Sequence, residues 1–287
     1  MSSTINISHD HKIGKGSLPW ALWLRQMRAI FRLEIRKNFL GKRAILIYLL
    51  ALLPVVILGM VALVEPPKSQ NFANLSMIFA WIYGGLILRT VVFFGCAWIF
   101  MNLFRGELVD RSLHYYFLSP VRREVLVIGK YFSGLVASTV LFTTATVVAM
   151  LLLYFPNYYS ESSRFFFDGP GLSQLLTYAG VAILACIGYG AFFLFVGLFF
   201  RNPIIPALVM YGWELINFLL PPLLKKISVI HYLNSLVPIP VNEGPFAVVA
   251  DPTPAWIAIT SLLIVTALVL AAAGYRIRHL EIKYGSE

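Results

Sequence analysis

Residues Phe104 to Lys130 read FRGELVDRSLHYYFLSPVRREVLVIGK, a charged and aromatic island between two long apolar segments. The alternation of apolar run, polar island and apolar run decides the fold class. The chain has 287 residues, of which 59% are hydrophobic and only 13% charged. A soluble domain carries about 25% charged residues, so half that density marks an all-α polytopic membrane protein. The apolar runs leave no room for a separate soluble domain.

Working outward from the island, six segments are long and apolar enough to span, at 44–64, 76–103, 125–155, 172–200, 204–224 and 255–275. A crossing needs about 20 residues at about 1.5 Å each, so the second, third and fourth are expected to tilt or project. Around the six-helix domain (44–275) the sequence divides into a disordered tail (1–17), an amphipathic helix (18–43), the cytoplasmic island (104–124), an outer loop (225–254) and a cytoplasmic tail (276–287). The outer loop is rich in Pro (Pro238, Pro240, Pro245, Pro252, Pro254). It holds an apolar piece, Ile227 to Val237, too short to span and expected as a small helix on or in the outer leaflet.

The 23 Lys and Arg residues orient the chain. Nine precede the first span, five lie in or beside the island (Arg105, Arg111, Arg122, Arg123, Lys130), Arg201 lies in a short loop, and Arg276, Arg278 and Lys283 lie in the tail. The opposite side holds Lys68, Arg164, Lys225 and Lys226. The asymmetry puts both termini in the cytoplasm. The same distribution accounts for the net charge of +10 without nucleic acid.

Within the arm, Arg25, Arg28, Arg32 and Arg36 recur at helical spacing, while Trp20, Leu24, Met27, Phe31 and Ile35 lie mainly on another face. A basic amphipathic helix with a Trp suits the headgroup region. A solvated helix with ordinary basic anchors is the plainer alternative. The polar first 43 residues do not read as a cleavable signal. His9-Asp10-His11 reads as part of a floppy tail rather than a metal site.

No motif for chemistry is present. Gly129-Lys130 is followed by Tyr131 and lacks the earlier Gly of a phosphate-binding loop. The five histidines are scattered, and Cys96 and Cys186 sit inside apolar runs as small lipid- or helix-facing residues. Two ionisable residues lie deep in apolar segments: Arg89 in the second and Glu214 in the fifth. Charges there normally face a partner or a wet cavity. They are candidates for lining a path or pairing with each other, and snorkelling to an interface is the alternative. Gly180, Ala185 and Gly188 in the fourth segment suit close helix packing. Aromatics at segment ends (Tyr154, Phe155, Phe165 to Phe167) suit an interfacial belt.

The island resembles the stretch between the second and third spans of ABC-2 type transporter permeases, the membrane subunits of ATP-binding-cassette exporters. The resemblance is carried by Glu107, Leu113, Tyr116 to Leu118, Ser119-Pro120, Arg122-Arg123, Glu124 and Gly129-Lys130. Glu34 to Lys37 before the first span, six spans, cytoplasmic termini and the longer loop before the last span are similar too. Arg111-Ser112 departs from the Gly-Thr common in the family. The resemblance implies a multi-pass protein of the bacterial cytoplasmic membrane. It implies a second permease subunit, homo- or heterodimeric, and separate ATPase subunits that bind ATP and Mg. This chain would bind no cofactor and no metal. The island would be the coupling helix seated in the ATPase, with Glu107, Asp110, Arg111, Tyr115, Tyr116, Pro120, Arg122 and Arg123 as docking residues. The competing expectations are an ion-driven secondary transporter or channel, and a membrane enzyme.

Overall fold

The computed structural model describes residues 20–41, 44–64, 72–109, 122–154, 159–200, 202–241 and 253–278. Among them every regular element is a helix. After α1 (Trp20–Leu40) and α2 (Ala44–Val64), α3 (Phe72–Ile82) runs through a π-helical stretch, Tyr83–Val92, into α4 (Phe93–Val109). Then come α5 (Arg123–Tyr154), α6 (Tyr159–Phe167), α7 (Gly171–Phe199) and α8 (Ile204–Leu215). A 3₁₀ turn, Ile216–Leu219, leads to α9 (Pro222–Lys225), α10 (Val229–Asn234) and α11 (Ala255–Arg278).

Five helical stretches are long and apolar enough to cross a membrane: Ala44–Val64, Phe72–Arg105, Arg123–Tyr154, Gly171–Phe199 and Ala255–Arg278. The protein is therefore built as a multi-pass α-helical membrane protein. The segment expected as a single span at 204–224 departs from that expectation. Its apolar helix is shorter, Ile204–Leu219, and the chain turns extended at Leu220 and Pro221. Consecutive prolines, Pro221 and Pro222, remove two backbone donors and push the preceding residue out of the helical region. The apolar piece at 227–237 yields α10, which lies inside the bundle with Ile230 and Leu233 fully buried, against α7 and α11. The sites expected at 1–17, His9 to His11 and 279–287 lie outside the described residues.

Burial orders the bundle. In α7, 72% of the apolar window is buried, against 28% in α2 and 22% in α11. Helix α7 is thus the central post, packed on α4, α5 and α11. Small residues let these helices close up. The ring of buried Phe100 from α4 fills the space beside Gly134 of α5 and Gly190 of α7, where added Cβ atoms would lie only 2.9 Å and 2.5 Å from ring carbons. Gly188, singled out in the sequence, faces Leu262 of α11, whereas Gly180 faces open space. Cys96 of α4 and Cys186 of α7 are both buried free thiols.

Buried hydroxyls supply the remaining cross-links. Tyr83 donates to the Tyr178 carbonyl (2.7 Å), Tyr131 to the Ile187 carbonyl (3.0 Å), and Ser76 and Tyr154 share a hydrogen bond of 2.7 Å. The aromatics at 154 and 165–166 form a packed cluster, while Phe167 beside them is exposed. Phe165 stacks between Phe72 and Tyr154 at 5.1 and 5.3 Å, and Tyr154 and Phe166 are buried.

Candidate functional site

The island itself, residues 110–121, lies outside the described residues, and with it Asp110, Arg111, Tyr115, Tyr116 and Pro120. Glu107 falls in the last turn of α4, and Trp20 opens α1; their side chains lie outside the described set too. What the structure describes is the frame around the island: the end of α4, the start of α5, α1, and the end of α11.

Lys130 is the centre of that frame. It lies two turns into α5 and its side chain is wholly buried. Its ammonium donates to Glu34 Oε1 of α1 at 2.8 Å and to the Leu103 carbonyl of α4 at 2.8 Å, with the Phe104 ring 5.3 Å away. Glu34, also buried, takes a second contact from Lys37 at 3.4 Å. One ammonium therefore joins three helices, and its bond to Leu103 ties α4 to the start of α5, the two helices that flank the island in sequence. Gly129 makes room for this. An added Cβ there would sit 3.3 Å from Ile30, the buried apolar residue one turn before Glu34. A buried charge is tolerable only when paired and hydrogen-bonded, and here two acceptors and a ring face meet the lysine.

The island's exit is fastened on both sides. Exposed Arg122 stacks over Trp23 of α1 at 4.6 Å. Arg123 donates from one guanidinium nitrogen to the Ile277 and Arg278 carbonyls at 3.2 and 2.9 Å, satisfying acceptors at the C-terminal end of α11. Arg278 in turn pairs with Glu124. So α1, the start of α5 and the end of α11 meet at one end of the bundle. Of the residues expected to dock a partner, Arg122 and Arg123 are brought together, and each already engages a neighbouring helix.

A second polar cluster lies inside the bundle, around Glu214. Its carboxylate accepts from Ser228 Oγ (2.6 Å), Val229 N (3.0 Å) and Ile230 N (3.0 Å). Those amides open α10, so a carboxylate from α8 caps a helix two elements away, where negative charge complements the helix dipole. Ser228, at the N-cap position, makes no cap bond of its own and donates to Glu214 instead. Arg89 lies in the π-helical stretch and is partly exposed, whereas Glu214 and Tyr189 are buried. The carboxylate's bonds to α10 were not expected. π-Helical turns are rare and concentrate at functional sites; this one begins beside Gly84 and Gly85, neither of which faces an atom within 4 Å of an added Cβ.

Sequence reasoning missed Glu34 paired with Lys130, the Trp23 stack, the Arg123 bonds to α11, and the capping role of Glu214. Two signals for the first were present: Glu34 is the one acidic residue between Asp10 and Glu65, and Lys130 falls inside the apolar run expected at 125–155. Among the described residues no group of three or more His, Cys, Asp or Glu side chains is arranged to hold a metal. Comparisons with protein-family models, with curated proteins and with solved structures find no match to this chain.

Proposed function

We propose that this chain is the permease subunit of an ABC-2 type, ATP-driven exporter. On this reading it forms the substrate path with a second permease subunit and takes its energy from a separate ATP-binding subunit docked on residues 104–124. The observation that carries the reading is the clasp at the base of the island. Lys130 ties α4, α5 and α1 together, so a force applied to residues 110–121 enters two long helices at once. Helix α5 has 32 residues, about 48 Å at about 1.5 Å each, which exceeds a bilayer core of about 30 Å. A rigid helix that overhangs the membrane is what a coupling lever needs. The positive-charge asymmetry supports placing the clasped end in the cytoplasm. With α1 and the end of α11 at one end, the apolar stretch Ile204–Leu219 is assigned as the sixth passage that returns the chain across the membrane.

The test is copurification in mild detergent from the native host, with mass spectrometry and an ATPase assay. A stoichiometric ATP-binding partner, lost on Arg111→Glu, is the expected result. Arg111 is preferable to Arg123 because Arg123 fastens α11. A homo-oligomer without ATPase favours the second reading, an ion-driven carrier. That alternative draws support from the buried Glu214 and Tyr189, with the partly exposed Arg89 in a π-helical stretch of the same bundle, beside a short helix packed on α7 and α11.

A further inference from the structure

The arginine stripe of α1 has work left to do. Arg25, Arg28, Arg32 and Arg36 are all exposed. At about 100° per residue they lie on the side of the helix opposite Ile30 and Glu34, which pack on α5. Among the described residues none of the four has an ion-pair or hydrogen-bond partner. No acid competes for them nearby in sequence, since Glu34 is buried and held by Lys130 and Lys37. Between the packed face and the stripe runs an apolar band of Leu24, Met27, Phe31 and Ile35, with Leu24 57% exposed. The helix thus shows its surroundings acyl-compatible surface bordered by four guanidinium groups over about 16 Å.

We propose that this stripe docks the phosphate headgroups of anionic phospholipids, and that α1, bonded through Glu34 to Lys130, makes the start of α5 responsive to them. Charge complementarity commits the surface to this occupant. Arginine presents paired donors that match phosphate oxygens, and basic residues beside an apolar band are attracted to anionic leaflets. A zwitterionic headgroup satisfies the apolar band equally but leaves four positive charges uncompensated. An acidic protein would satisfy the charges but leave the apolar band uncovered. The proposal rests on the interfacial placement of α1.

The test uses the purified full-length chain. Native mass spectrometry is titrated with dioctanoyl phosphatidylglycerol and dioctanoyl phosphatidylcholine, alongside glycerol phosphate and poly-glutamate. The expected result is at least tenfold tighter binding of the anionic lipid. That preference falls to within about twofold in Arg25→Gln/Arg28→Gln/Arg32→Gln/Arg36→Gln, and Arg32→Gln alone gives an intermediate loss if the quadruple variant does not fold. Anionic lipid should also slow hydrogen exchange of the α1 and Leu126 to Lys130 amides in the wild type but not in Glu34→Gln. Equal binding of both lipids, an unchanged preference in the variants, or unaltered exchange at Leu126 to Lys130 overturns the proposal. So does glycerol phosphate or poly-glutamate competing as well as the lipid. Bimane on Leu24→Cys, selective because Cys96 and Cys186 are buried, separates two kinds of failure. If doxyl lipids quench the probe but no lipid preference exists, docking fails and the interfacial placement stands. If they do not quench it, the placement fails as well.

Discussion

Lys130 Nζ lies 2.8 Å from Glu34 Oε1, and both side chains are buried although 96 residues separate them in sequence. Removing one partner of such a pair strands the other charge in a poor dielectric, at a cost of about 3–5 kcal/mol, whereas replacing both with apolar residues is often neutral. Lys130→Met and Glu34→Leu are therefore each expected to lower the thermal unfolding temperature in detergent by several degrees, and the double variant to recover most of the loss. A double variant no better than the sum of the singles would show that the pair is not coupled.

Arg123 and Arg278 make contacts of different worth at the same junction. The Arg278–Glu124 pair is largely exposed, with Arg278 61% accessible, and exposed pairs contribute about 0–1 kcal/mol. Arg123 instead saturates the terminal carbonyls of α11. Arg123→Ala is expected to fray the end of α11 and speed limited trypsin cleavage after Arg276 and Arg278 several-fold, while Glu124→Gln leaves the cleavage rate within about twofold. Equal rates in the two variants would contradict this ranking.

Hydropathy alone recovered α2, because a lipid-facing helix is apolar on every side and ends where the charges begin. The span expected at 255–275 likewise matches α11, which runs three residues further to Arg278. The fifth apolar segment, expected at 204–224, is helical only over Ile204–Leu219, and the difference has a physical reason. Residues 204–224 are largely apolar despite Glu214 and Asn217, and a hydropathy reading gave no weight to Pro221 and Pro222, which end the helical stretch before α10 packs against α7. The π-helical stretch was invisible because its apolar pattern differs little from that of an α-helix over ten residues. Arg89 and Glu214 stood out by polarity, but that Glu214 would spend its oxygens on the Val229 and Ile230 amides depends on tertiary placement that no periodicity carries. Lys130 was counted among the basic flanking residues, although its position inside the third apolar run marked it as buried.

The contact of Phe100 with Gly134 and Gly190 sets a limit on the packing of α4, α5 and α7. A Cβ at residue 190 would lie 2.5 Å from the Phe100 ring, so Gly190→Val must displace a fully buried side chain. Overpacking of this kind costs about 1–3 kcal/mol. The variant is expected to unfold at lower temperature, and Phe100→Leu in the same chain to restore part of the loss. No recovery would mean that the helices, rather than the ring, absorb the strain.

Glu214 holds α10 in place through two backbone amides and one hydroxyl, which gives a readout independent of transport. Glu214→Ala leaves the Val229 and Ile230 amides without their acceptor, and loss of a helix cap costs about 0.5–2 kcal/mol. Hydrogen exchange at those two amides is therefore expected to rise by roughly tenfold. Glu214→Gln keeps a carbonyl oxygen and should retain part of the protection, and Ser228→Ala should remove least, because it deletes one donor and leaves both amide bonds. If exchange at Val229 and Ile230 is the same in Glu214→Ala as in the wild type, the carboxylate is not the cap.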